Sequence, residues 1–334
     1  MSFDPQEEML LRMRNTLPGM RIRPDQDPAL WRESARQRLV ELLGLPAERT
    51  DDGMTVEWRR ERDGYTETRF TFRSEGHVTV PCHLLVPESG VKRTFPLMIC
   101  LQGHSTGMHI SLGRPLYPKD REDIDGDRDF ALQAVRRQFA ALTVEQRGFG
   151  ECGGTPKGPE CYQIAVQALL LGRTLLGERC WDISRAIDVT EKFFPCVDTG
   201  RIAVMGNSGG GTASLYAAAI EPRISAVICS CAFSGFLASI AVRRHCICNY
   251  VPGIMNWFDM GDIAGLIAPR PLVIVSGKDD LIFPLAGACE QFETAREYYE
   301  RSGYPDRVRH VIGPYGHRFY SDLGWAAFDE VTGG

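Results

Sequence analysis

Six short apolar runs recur along the chain: LMICL (97–101), AALTVE (140–145), IAVMG (202–206), SAVICS (225–230), PLVIVSG (271–277) and VRHVIG (308–313). Between most of them lie stretches with helical periodicity, such as YQIAVQALLLGRTLL and CWDISRAIDVTEKFF. A strand that is apolar on both faces must be covered on both sides, and intervening helices supply that cover. The pattern therefore specifies an α/β fold with a mostly parallel central sheet and helices on both faces.

The 334 residues, 43% hydrophobic and 24% charged, suffice for one large unit with additions. Residues 1–52 read as an N-terminal helical extension. In DPALWRESARQRLVELLG, Asp27 suits an N-cap, Pro28 the first helical position and Gly44 a C-terminal stop. Trp31, Ala35, Leu39, Leu42 and Leu43 fall near one face of that helix. From residue 54 the period changes to strand-like alternation, with turns at Asp63-Gly64 and Glu75-Gly76, which predicts antiparallel edge strands up to residue 87. The catalytic domain would then span 53–334, with insertions at about 104–128 and 232–268. Connections of that length are usually lids or contain short helices.

A net charge of −5 with no basic patch argues against a nucleic-acid partner. No run approaches the length of a membrane span, and MSFDPQEEMLLRMRN lacks the apolar segment of a signal peptide, so no membrane partner and a cytoplasmic location are expected. The sequence leaves a homo-oligomer open. The 11 cysteines are odd in number, and several lie inside apolar runs, so a disulfide framework is not expected. The pairs Cys229/Cys231 and Cys246/Cys248 are closer than the usual zinc spacing, and only His245 stands nearby as a further ligand. Packing is their expected role, with no metal and no cofactor. Asp123, Asp125 and Asp127 around Gly126 lack the rest of a calcium loop and read as a solvated turn.

Gly206-Asn207-Ser208-Gly209-Gly210 fits G-x-S-x-G between a strand, RIAVM, and a helix, GGTASLYAAAI. That setting suits a nucleophile elbow, in which a sharp turn exposes a serine and only small neighbours fit. A glycine-rich anion loop is the other reading, but the spacing matches neither a P-loop nor G-x-G-x-x-G. Serine needs a base and an orienting acid. After the fifth run stands KDDLIFP, with Asp279 and Asp280, and after the sixth stands PYGHRFY, with His317. Ligands of open α/β sheets gather at such strand ends.

With these motifs the chain resembles the α/β-hydrolase superfamily, and within it the dienelactone-hydrolase-like and acetyl-xylan-esterase-like branch, over roughly residues 80–332. The resemblance implies the α/β-hydrolase fold and a Ser208–His317–Asp280 triad. GKDDLIFP matches the branch's G-x-x-D-x-x-x-P at Asp280 and puts Asp279 out of register, and the histidine follows Gly316. His310 lies within the sixth apolar run and reads as structural; the resemblance gives Arg147 of RGFGECGG a supporting role and sets LQGHSTG in the place of the oxyanion loop, with Gln102 where histidine is usual. Backbone N–H groups of Gly209 and His104 would hold the oxyanion. Gln102, Trp257 and Tyr250 are the candidate substrate contacts, Trp257 and Tyr250 offering with Phe258 an aromatic platform or simply the core of a cap.

The reaction so implied is hydrolysis of short-acyl, acetyl-type esters of carbohydrates or small metabolites through an acyl-enzyme. Two alternatives stand beside it. One is an oligopeptidase-like peptidase or amidase, although about 95 residues before the core are too few for a gating propeller. The other is a non-catalytic binding protein of the same fold, although such proteins usually lose a triad member. A dienelactone hydrolase would have cysteine at position 208.

Overall fold

The computed structural model describes residues 4–46, 53–88 and 94–333. Its centre is one sheet of nine strands: β1 (Met54–Arg62), β2 (Tyr65–Glu75), β3 (Val78–Pro87), β4 (Phe95–Leu101), β5 (Ala140–Val144), β6 (Val197–Asn207), β7 (Ile224–Ser230), β8 (Leu272–Gly277) and β9 (Val308–Gly313). The spatial order is β1-β2-β3-β5-β4-β6-β7-β8-β9. β1, β2 and β3 pair antiparallel, β3 meets β5 antiparallel, and β5, β4, β6, β7, β8 and β9 run parallel. All six apolar runs are the parallel strands, and the edge hairpins lie where the alternation placed them.

The helices are α1 (Pro5–Asn15), α2 (Pro28–Leu43), α3 (Asp120–Asp123), α4 (Phe130–Arg136), α5 (Tyr162–Leu170), α6 (Leu175–Phe193), α7 (Gly209–Ile220), α8 (Met260–Gly265), α9 (Leu285–Arg301) and α10 (Ser321–Thr332). Strand residues alternate between two cores. Leu97, Ile99 and Leu101 of β4 face α2, α6, α7, α8 and α9, whereas Met98 and Cys100 face α4 and α10. Runs that look uniformly apolar thus serve two covered faces, as parallel strands must.

The N-terminal segment belongs to the first core. Asp27 caps α2 through the amides of Ala29 and Leu30, and Gly44 ends it at φ +61°. Trp31, Ala35, Leu39 and Leu43 are buried, each large side chain contributing about 1.5–3 kcal/mol by burial. Trp31 packs on Tyr298 with ring centroids 4.5 Å apart, and Arg21 pairs with Asp262 at 2.6 Å.

Carboxylates of the acidic run are paired within the protein. Asp120 is buried and accepts from Thr106, His109 and the amides of Leu116 and Tyr117; Asp123 pairs with Arg128 and Asp127 with Arg318. No helix among the described residues is long and apolar enough to cross a membrane.

Candidate active site

Chain order reverses around β4, whose neighbours β5 and β6 follow it in sequence on opposite sides. The loops leaving β4 and β6 diverge there and open a crevice at the strand ends. Ser208 sits at that point with φ +54° and ψ −123°, a conformation non-glycine residues rarely adopt. Its strain is held by stitching: Ser208 N donates to Ser230 O at 2.8 Å, and Ser230 Oγ donates to Asn207 Oδ1 at 2.8 Å. The flanking glycines are steric requirements. A Cβ on Gly206 would lie 2.4 Å from the Gly210 carbonyl, and one on Gly210 would lie 2.2 Å from Leu101 O. The strand and helix of the elbow, and β4 beside them, approach too closely for any side chain.

Ser208 Oγ faces a cavity of about 310 Å³ that is also lined by His317, Gly209 and His104. The Ser208 amide is committed to Ser230, but the amides of Gly209 and His104 have no protein acceptor among the described residues. Gly209 follows the serine directly, and the loop that carries His104 packs on it, a Cβ on Gly103 falling 3.0 Å from Ser208 Cβ.

His317 and Asp280 arrive from neighbouring strand ends. A Cβ on Gly277 would lie 2.0 Å from Gly316 O, so the loop after β9 rests directly on the end of β8. Asp280 Oδ2 bonds His317 Nδ1 at 2.7 Å, and Asp280 Oδ1 accepts from the amides of Ile282 and Phe283 at 2.8 and 3.0 Å. Burial pushes the Asp280 carboxyl up, but the His317 contact and the two amides outweigh it and hold it below the usual carboxylate range. Phe283 stacks on His317 with centroids 6.1 Å apart and an interplanar angle of 14°. Ser208 Oγ and His317 share the cavity without a hydrogen bond between them among the described contacts, a looseness common before substrate is bound.

Asp279 is exposed and offers His317 no side-chain contact, which favours Asp280 on geometry as on motif register. His310 stays in β9, bonded to Ser276, with burial pushing its pKa down to about 4. Arg147 is buried against Glu75, Glu178 and Asp182 and ties β2 to α6, a structural role.

Three expected substrate contacts are corrected by the structure. Gln102 is 2% exposed, and its Nε2 donates to Ser111 Oγ and Arg128 O, so it braces the loop after β4 from beneath. Trp257 packs under Arg38, 4.2 Å from guanidinium to ring, and its carbonyl accepts from Met20 N. Tyr250 donates to Ile240 O and lines a different depression, beside Met9 and Met13. The aromatics of the 232–268 connection are drawn to the N-terminal segment, a partner that the connection's own sequence does not reveal.

The cavity wall instead carries Lys119, Asp123, Arg128, Arg244, His245, Ile282 and Phe283. For Lys119, Asp123, Arg128, Arg244 and His245 the signal was the length of the two connections, whereas Ile282 and Phe283 follow Asp280 within KDDLIFP. A second cavity, about 660 Å³, shares Asp123, Arg128 and His317 with the first and adds Arg121, Glu122, Asp125 and Arg318. Beneath the catalytic pair, Cys231 donates to Arg318 O, and burial pushes its thiol up to about 12.

The site also gathers His104, Cys161, Cys246 and Cys248, whose ligand atoms all lie within 4.8 Å of one another. Sequence spacing could not disclose this group, because His104 and Cys248 are 144 positions apart.

Comparison with known proteins agrees with the architecture. The model described as Abhydrolase family matches residues 6–312, ending short of His317. YtaP of Bacillus subtilis (strain 168) is 26% identical over 290 residues, 86% of this chain and 94% of that protein. Among solved structures, a glucuronoyl esterase from Solibacter usitatus superposes with a TM-score of 0.70 at 17% identity, covering 95% of this chain and 97% of that one. Acetyl xylan esterase 1 from Thermoanaerobacterium sp. JW/SL YS485 gives 0.58 at 17% identity, covering 96% and 97%.

Proposed function

The chain belongs to the abhydrolase family, and from that premise we propose that it is a serine esterase acting on carbohydrate esters. The observation that carries the reading is the strained Ser208 facing a cavity it shares with His317, whose other nitrogen is fixed by Asp280 at 2.7 Å. Ser208 Oγ attacks the ester carbonyl carbon as His317 Nε2 takes its proton. The Gly209 and His104 amides receive the oxyanion. His317 then protonates the departing alcohol, and water admitted to the same position hydrolyses the acyl-enzyme. Asp280 keeps the tautomer with the proton on Nδ1 and offsets the imidazolium charge.

The cleft supports a polar substrate. The two cavities that meet at His317 are lined mainly by polar and charged residues, with Ile282 and Phe283 the large apolar exceptions at the serine. A long acyl chain would find little apolar wall there, whereas a small acyl group on a sugar suits it. The structural neighbours include an acetyl xylan esterase, which supports acetyl esters. A second reading has its own support: a neighbour is a glucuronoyl esterase, so the sugar itself would bear the esterified carboxyl group, and Lys119 and Arg244 on the wall would attract the carboxylate released on hydrolysis.

Initial rates on acetylated xylo-oligosaccharides, a methyl uronate ester, p-nitrophenyl esters of increasing acyl length and peptide amides test the proposal. Turnover of a sugar ester, lost in Ser208→Ala, is expected. Preference for long acyl chains or for amides would sink the substrate assignment. Failure to turn over any of them or to be labelled by a serine-directed phosphonate would sink the catalytic one.

A further inference from the structure

His104, Cys161, Cys246 and Cys248 come from three separate segments: the loop after β4, the entry to α5, and the single turn at 247–249 within the 232–268 connection. Their four ligand atoms lie within 4.8 Å of one another, with His104 Nε2 3.1 Å from Cys248 Sγ. A tetrahedral zinc ion, with Zn–S about 2.3 Å and Zn–N about 2.0–2.1 Å, sets its ligand atoms about 3.5–3.8 Å apart. The cluster therefore encloses a space of the right size with the soft donor set zinc prefers.

A second observation is independent of the cysteines' spacing. Arg179 is 1% exposed; its guanidinium donates to Arg147 O and to Cys161 Sγ, the latter at 3.2 Å, and lies 4.4 Å from the centre of the Phe149 ring, while no carboxylate pairs with it among the described residues. A buried cation without an anion is strongly unfavourable. Three neutral thiols would leave it so. Three thiolates around one divalent ion carry a net charge of −1, which Arg179 neutralises.

We propose that His104, Cys161, Cys246 and Cys248 form a closed structural zinc site that ties the oxyanion loop to the 232–268 connection. Phe149, Ala165, Leu175 and Ile247 form its apolar surround. Loading releases the three thiol protons to solvent as the Zn–S bonds form. With Nε2 on the metal, His104 keeps its proton on Nδ1. That edge of the ring abuts α7: a Cβ on Gly209 would lie 2.8 Å from His104 Nδ1 and Cε1. The ion thereby fixes a residue whose amide the proposed mechanism uses as an oxyanion donor. The site stands on its own geometry, whatever ester the enzyme takes.

The test is metal content and cobalt spectroscopy on the full chain expressed with zinc and purified without a metal-affinity tag. Elemental analysis should find about one zinc per chain. Protein stripped under reducing conditions and given Co²⁺ should show the thiolate-to-cobalt band and the intense visible absorption of a tetrahedral site. Cys161→Ser and Cys248→Ser should lose most of the metal, while Cys289→Ser, an exposed cysteine outside the cluster, keeps it. The cobalt spectrum needs no variant, so a misfolded mutant leaves the proposal testable. Folded wild-type protein with neither zinc nor that spectrum would overturn it. So would a disulfide among Cys161, Cys246 and Cys248 in non-reduced peptide maps, or undiminished zinc in both folded cysteine variants.

Discussion

Asp280 and His317 meet at 2.7 Å although they leave different strands, because the loop after β9 lies directly on the end of β8 at Gly277. The two Asp280 oxygens are divided between the imidazole and the amides of Ile282 and Phe283, so the carboxylate cannot turn without breaking two bonds.

Asp280→Asn should retain the geometry but favour the wrong histidine tautomer. A fall in kcat of about 10⁴-fold is expected at neutral pH, with KM changed much less. Asp279→Asn, altering an exposed side chain, should stay within a few-fold of wild type. Steady-state kinetics on one sugar ester distinguishes them, and a collapse confined to Asp279→Asn would reverse the assignment.

Gly210→Ala forces a methyl group to within 2.2 Å of Leu101 O and 2.6 Å of Gln102 O, both backbone atoms. The elbow must shift away from β4, at a cost of about 3 kcal/mol, the upper end for an overpacked core site. Gly126→Ala, where a Cβ meets nothing within 4 Å, should be close to neutral. Urea unfolding followed by circular dichroism reads both, and equal midpoints would contradict the close-approach account.

Glu145, at the end of β5, accepts from the amides of Met108 and Glu151 beside the oxyanion loop. Burial pushes its pKa up to about 7. Between its ordinary value near 4.5 and 7, the folded state holds a proton that the unfolded chain has lost, so stability declines as pH rises through this window and levels off above it. The whole decline across the window is about 3 kcal/mol, because carrying one extra proton in the folded state costs about 1.4 kcal/mol for every pH step of one. Glu145→Gln cannot ionise, and its stability relative to wild type should rise by about that amount from pH 4.5 to 7. Parallel unfolding curves across that range would show that Glu145 is not protonated at about pH 6.

The site was legible where local chemistry dictates the element. Ser208 needed only a strand, a helix and small neighbours. Asp280 and His317 were marked by their positions after the fifth and sixth apolar runs, together with the register of GKDDLIFP. Gln102, Trp257 and Tyr250 were misread because a side chain's direction in a long connection depends on what packs against it. Arg38 and Met20 claim Trp257, and Ser111 and Arg128 claim Gln102, all from segments distant or unremarkable in sequence.

The sequence by itself determined the parallel sheet, the antiparallel edge, the capped helix α2 and the nucleophile elbow, because periodicity, caps and glycine sterics act over a few residues. Only the tertiary structure decided what lines the cleft and which cysteines meet. The C-x-C pair at 246–248 carries half of the proposed ligand set; Cys161 and His104 join it only because the entry to α5, the loop after β4 and the turn at 247–249 bring these side chains within 4.8 Å of one another. Ligand geometry is a property of distances in space, and those distances are set by which strands lie side by side.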